Sequence, residues 1–219
     1  TDIELVDGFP SGYNTHSMRS HRWTRGDWQL LPWLCSRVRN EEGALVENPL
    51  STLSKWKIFD NLRRSVIAPF LMVLILAGVS VLPGSFLVWI GLALFVIILP
   101  LLTYAADIFL SGNFEPARYS KGITSITGFK AGLYQAALLF AFLPHQAYLM
   151  MDAIIRTISR LVTRKRLLEW VTAADAEEGS RNTLTGYINR MRIVFAVSVL
   201  IIILSLLRGP GPATAVAVL

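Results

Sequence analysis

Two stretches of this chain are ill suited to an ordinary soluble domain. Val66 to Leu82 runs for 17 residues without a charge, and Phe86 to Ala106 for 21. A helix crossing a bilayer needs about 20 mainly apolar residues, with about 17 tolerated. Between the runs stands Pro83-Gly84-Ser85, a turn-forming break. Together they read as a transmembrane hairpin over 66–106. The competing reading, a buried helical pair in a soluble core, sits poorly with a composition that is 53% hydrophobic and 16% charged. Soluble domains carry about 25% charged residues. The same balance excludes intrinsic disorder, which requires low hydrophobicity and high charge.

A third run, Ile193 to Leu207, has 15 residues between Arg192 and Arg208. Its flanking arginines can snorkel to the interfaces, so 193–208 is expected to span as well. Leu133 to Met151 is apolar but contains Gln135, Pro144, His145 and Gln146. Proline and polar groups at that depth suit a bent, interfacial or re-entrant segment better than a plain span. Charge placement supports this. Residues 1–65 carry nine Lys/Arg and residues 152–193 carry eight, whereas the turn at 83–85 carries none. Cytoplasmic flanks of membrane helices are enriched in Lys and Arg. Both basic blocks are therefore expected on the cytoplasmic side, and 133–151 is expected not to cross. In 152–168, Ile154, Ile155, Ile158, Leu161 and Val162 recur at helical spacing, with Arg156, Ser159, Arg160, Thr163 and Arg164 opposite. A basic amphipathic helix of this kind lies in the membrane interface or packs on a protein neighbour. Gly112, Pro116, Gly122 and Gly128 break 107–132 into short helical pieces, and 172–190 reads as a polar loop with some helix.

The net charge of +6 raises nucleic acid and an anionic membrane surface as partners. The nine basic residues of 1–65 are nearly matched by eight Asp/Glu, which argues against a nucleic-acid patch. No Gly-rich phosphate loop occurs, and no His/Cys cluster has metal-ligand spacing. His16, His21 and His145 stand apart in sequence, and the first two read as surface or packing residues. Cys35, the single cysteine, excludes an intramolecular disulfide and reads as a small buried apolar residue. The chain opens at Thr1 and closes on an apolar tail over 209–219, so both ends read as cut from something longer.

One stretch concentrates chemistry: Arg19-Ser20-His21-Arg22-Trp23-Thr24-Arg25-Gly26-Asp27-Trp28-Gln29, followed by Trp33. Guanidinium forks bind phosphate oxygens bidentately. Indole offers a broad flat surface for stacking. A nucleotide-sugar site needs both, cations for the diphosphate leaving group and an aromatic platform for the acceptor. An interfacial helix with snorkelling arginines and belt tryptophans uses the same residues.

Arg19-x-x-Arg22-Trp23 with the trailing Arg25-Gly26 resembles the QxxRW motif of processive membrane glycosyltransferases. The wider wording is similar to the cyclic β-1,2-glucan synthases: RSHRWTRGDWQLLPWL from Arg19, LSKWKIFDNLRR from Leu53, LPHQAYLMMD from Leu143 and LLEWVTAADAE from Leu167. The resemblance runs to about residue 208. It implies a bacterial inner-membrane enzyme, catalytic side cytoplasmic, that transfers glucose from UDP-glucose to a growing β-glucan acceptor. In the full enzymes a phosphorylase-like domain lies further along. By the motif, Trp23 would stack on the acceptor and Arg22 would contact the diphosphate. Arg25 is a second candidate for the diphosphate, and Arg19 and Asp27 for the pocket wall. Arg19 stands where the broader family has Gln, which puts an acceptor hydrogen bond from that position in doubt. The family's divalent metal, Mg or Mn, implies a D-x-D pair. None occurs in this chain, and the nearest pattern is Asp175-Ala176-Glu177. That pair and the catalytic base are expected before Thr1. Without them the fragment alone is expected to be inactive.

The expected fold is therefore mainly α and membrane-embedded. Residues 1–65 close a nucleotide-sugar α/β transferase domain. The hairpin 66–106, interfacial helices within 107–192, the span 193–208 and a truncated tail 209–219 follow, about three transmembrane helices in all. Two alternatives stay open: another processive β-glycan synthase of the cellulose type, and a non-enzymatic membrane scaffold.

Overall fold

The computed structural model describes residues 12–111, 125–165 and 184–208. The expectations for Gly112, Pro116, Gly122, the Asp175–Glu177 stretch, most of the 172–190 loop and the 209–219 tail lie outside those residues. The chain divides into two compact units, Thr1–Pro69 with His145–Phe195, and Phe70–Pro144 with Ala196–Leu219.

In the first unit, α1 (Tyr13–Gln29) carries the Arg/Trp stretch. It ends where Pro32 approaches, and the chain turns through a single 3-10 helix at Leu31–Leu34. Pro32 has no amide to donate to the Trp28 carbonyl, so the α-helical ladder does not continue. Asn48 then ties the loop down: its Nδ2 donates to the carbonyls of Trp33 (2.7 Å) and Cys35 (2.8 Å), and its Oδ1 accepts from the Leu50 amide. β1 (Arg37–Arg39) and β2 (Leu45–Glu47) pair antiparallel with Val38 opposite Val46. Gly43, at φ +82°, supplies the left-handed residue of the connecting turn. Cys35 is exposed, contrary to the buried position expected of it, because it follows the 3-10 turn on the way to the hairpin surface. Ser51 opens α2 (Thr52–Ser80), its Oγ accepting from the Ser54 amide.

α5 (Leu143–Thr163) faces α1. Pro144 sits in its first turn, where a missing amide is harmless, so the apolar run 133–151 is divided between two helices rather than forming one. The face expected from Ile154, Ile155, Ile158, Leu161 and Val162 also divides. Ile154 is buried with Ala147, Met150, Ala153 and Thr157, while Tyr148, Met151, Ile155, Ile158 and Val162 form an exposed stripe. Starting the helix at Leu143 adds residues that complete an inward face, and at 100° per residue Ile155 then points away from it. The first part of α6 (Leu184–Arg208) completes this unit, with Val194 buried.

The second unit holds the apolar ends of α2 and α6, α3 (Phe86–Ser111) and α4 (Ser125–Ala141). Gly84 (φ +87°) turns the chain between α2 and α3, and Ser85 Oγ accepts from the Leu87 amide. Trp89 Nε1 donates to the Pro83 carbonyl at 3.1 Å. α3 packs on α4 through Gly128 and Gly132, where a Cβ at Gly132 would come within 2.7 Å of Leu101 Cδ1. This is the small-xxx-small contact by which apolar helices approach closely.

Among the described residues, Thr52–Ser80 and Phe86–Asp107 are each long and apolar enough to cross a membrane. Gly128–Ala141 and Leu143–Thr163 reach that standard only as one bent pair, and Met191–Leu204 is a shorter apolar segment. The chain is thus mainly helical, with two or three candidate spans.

Candidate functional site

Helical periodicity distributes the Arg/Trp stretch over two faces of α1. Arg22 and Arg25 lie three apart and share one face; Arg19, Trp23 and Asp27 lie four apart and share another. Arg22 and Arg25 line a cavity of about 520 Å³. Trp23 and Asp27 line a separate cleft of about 430 Å³, with Thr24, Asn61 and Arg64. Within this unit the structure therefore separates the cations from the aromatic platform.

In the cleft, the Arg19 guanidinium lies 4.6 Å from the centroid of the Trp23 ring. That cation–π contact fixes the indole from one side. The side chain is nevertheless 58% exposed, so a second planar or apolar surface can reach it. Asn61 Nδ2 donates to Asp27 Oδ1 at 3.2 Å, and Arg64 donates to Asn61 Oδ1. Burial pushes the Asp27 carboxyl above its ordinary value, against the Asn61 hydrogen bond and the Arg64 charge. Trp28 is anchored differently, its Nε1 donating to Ser65 Oγ at 2.8 Å.

The cavity is built between α1, α5 and the start of α6. His21 Nε2 meets Asp152 Oδ2 at 2.9 Å, and Arg156 Nε donates to the same carboxylate at 2.8 Å. A carboxylate only accepts, so this contact assigns the His21 proton to Nε2. Burial lowers the His21 pKa from its ordinary value, outweighing the opposing pull of Asp152. For Asp152, burial acts upward, but the hydrogen bonds from Arg156 and His21 overcome it and hold the carboxyl below its usual range. Tyr13 Oη and His145 Nδ1 close one end at 2.7 Å. Thr24 Oγ1 reaches Met150 Sδ at 3.1 Å, a further tie between α1 and α5. Arg156 and Arg192 complete the cationic lining.

Four of these residues were not singled out as site candidates from local spacing: His21, Asp152, Arg156 and Arg192. His21 and Asp152 are 131 positions apart, and no periodicity within one helix reports such a pair. Among the described residues, no group of three or more His, Cys, Asp or Glu could hold a metal ion. The described side chains therefore do not form a site for the divalent metal implied by the resemblance.

No family model matches the chain. It is similar to cyclic beta-(1,2)-glucan synthase NdvB of Rhizobium meliloti (strain 1021), with 34% identity over 214 residues. The similarity takes in 96% of this chain and 7% of that protein. The chain thus spans about 7% of the length of the relative it matches.

Proposed function

We propose that this chain is the membrane-side segment of a glucosyltransferase that extends a β-glucan in cyclic β-1,2-glucan synthesis. The similarity along nearly the whole chain to a cyclic beta-(1,2)-glucan synthase is the observation that carries this reading. The geometry adds to it. A cationic cavity and an exposed tryptophan lie on adjacent faces of one helix, the two surfaces that a sugar donor and a glycan acceptor require. In this reading Arg22 and Arg25 take the diphosphate of UDP-glucose. Trp23, steadied by Arg19, stacks on the terminal glucose of the acceptor. Asp27, held by Asn61, shapes the wall beside it. The Mg or Mn of such enzymes and the catalytic base belong to residues outside those described.

The experiment is Arg22→Ala in a full-length synthase containing this chain. The expected result is at least a tenfold fall in kcat/KM for UDP-glucose, about 1.4 kcal/mol of lost transition-state stabilisation. Unchanged kinetics would remove Arg22 from the site and, with it, the assignment of the cavity to the donor.

The membrane is the bacterial inner membrane in this reading, with the first unit on its cytoplasmic side. The basic character of 1–65 and 152–193 supports that orientation. Ser159 is exposed on α5. A single cysteine placed there, in a protein whose native cysteines are replaced, is expected to react with a membrane-impermeant maleimide only after the cells are opened. Labelling of intact spheroplasts would invert the topology.

A further inference from the structure

Outside the Arg/Trp motif, the most unusual feature of the first unit is the convergence of arginines from α1, α5 and α6 on one cavity. The described residues lining it include Arg22, Arg25, Arg156 and Arg192, against one carboxylate, Asp152. That carboxylate is already shared by His21 and Arg156, at 2.9 and 2.8 Å. The arginines come from three helices far apart in the sequence, so a single helical charge stripe does not explain their convergence. A concave surface rich in one sign of charge focuses its field on the enclosed volume. Neutral donors stand among the cations. Asn14 and Ser17 are each only 3% exposed. The Ser17 hydroxyl is buried at the wall, one turn from the Tyr13 hydroxyl. Asn189 adds an amide from α6. A volume of about 520 Å³ lies within the range of small-molecule sites.

We infer that this cavity is a phosphate-binding site in which Arg156 of α5 and Arg192 of α6 act together with Arg22 and Arg25 of α1. The inference deepens the donor reading above and rests on it for the identity of the α1 cations. Guanidinium forks suit the paired oxygens of a phosphate, and several of them suit a dianion or diphosphate. The His21–Asp152 hydrogen bond and the Arg156–Asp152 ion pair link α1 to α5 and hold the two sets of arginines at one cavity. Two sources present this chemistry at such a place. One is the diphosphate of a nucleotide sugar. The other is the headgroup of an anionic lipid, since the apolar segment of α6 begins beside Arg192 and α5 carries an exposed apolar stripe.

The test uses the full-length synthase with Arg156→Gln, Arg192→Gln and the double variant. KM and kcat for UDP-glucose and inhibition by UDP are measured in phosphatidylcholine vesicles with and without phosphatidylglycerol. A nucleotide occupant predicts a tenfold or greater rise in KM and in the UDP inhibition constant for the double variant, with kcat moving less. A lipid occupant predicts an unchanged KM and loss of the wild-type response to phosphatidylglycerol. Either result upholds a phosphate site. If KM, UDP inhibition and the phosphatidylglycerol response all match wild type, the proposal is overturned. The comparison with Arg22→Ala separates the two readings. A deficient Arg22→Ala beside a normal double variant leaves the donor reading standing and rejects this one; a normal Arg22→Ala beside a double variant that loses only the phosphatidylglycerol response rejects the donor reading and leaves a lipid-phosphate site. Should the Gln variants fail to insert, Arg156→Lys and Arg192→Lys keep the charge and lose the bidentate fork, and the same readouts apply.

Discussion

Trp23→Ala in the full-length synthase is expected to abolish polymer synthesis while leaving membrane insertion intact. The insertion half of this expectation comes from burial: at 58% exposure the indole contributes little to any core. The elements that join α1 to its neighbours are other side chains. Trp28 reaches Ser65, Thr24 reaches Met150 and His21 reaches Asp152. The synthesis half comes from positioning. Under the proposed reading, the indole is the surface that orients the acceptor sugar, and a misplacement of about 1 Å at a reacting centre costs on the order of 100-fold in rate. Trp23→Phe keeps a smaller ring and is expected to retain part of the activity. Retained synthesis in the alanine variant rejects the stacking role. Lost insertion would show that Trp23 is an interfacial anchor instead.

Gly78→Val is expected to destabilise the second unit by about 1–3 kcal/mol, the usual cost of forcing extra methyl groups into a filled contact. A Cβ at position 78 would lie 2.4 Å from Trp89 Cβ and 2.7 Å from its Cγ. The Cβ is fixed by the α3 backbone, so a rotamer change cannot move it aside and the helices must separate. At Gly132 the nearest atom is the far end of Leu101, which can swing away more cheaply. Thermal unfolding in detergent should show a lower Tm for Gly78→Val. Gly91→Ala, with nothing within 4 Å of its added Cβ, should show no such drop. Trp89→Gly, which removes that Cβ, combined with Gly78→Val should recover part of the loss, because the two changes share one contact. Additive effects in that cycle would reject the close approach of α2 and α3.

These two residues show how unevenly the molecule is legible. Trp23 was visible at once, since its type and neighbours carry a motif and a resemblance. Gly78 was not, because a glycine in an apolar helix gives no sign of what will stand against it. The helical runs were legible in outline. The uncharged stretch 66–82 begins inside α2 and ends two residues past it, and 86–106 lies within α3, either side of a turn containing Gly84. The bend expected within 133–151 from Pro144 falls at Phe142, between α4 and α5, because a proline fits the first turn of a helix and not its middle. The amphipathic face expected on α5 was half correct. Ile154 turns inward, and Ile155, Ile158 and Val162 turn outward, since only the full helix beginning at Leu143 defines which side the core takes.

The amino-acid order by itself determined that this chain is helical and apolar enough for a membrane, and that its chemistry is concentrated near Arg22 and Trp23. These are local properties: run length, charge density and the sixteen-residue wording from Arg19 to Leu34 that resembles a glucan synthase. Tertiary structure alone decided which of those residues work together. It placed Arg22 and Arg25 on one face of α1 and Trp23 on another, and brought Asp152, Arg156 and Arg192 to the first face from more than 120 positions away. The physical reason is that helical periodicity fixes only the angle between neighbours on one rod. Which rods meet, and at which face, follows from packing of buried small and apolar side chains such as Ala153, Ile154 and Thr157, and that choice is not written in any single segment.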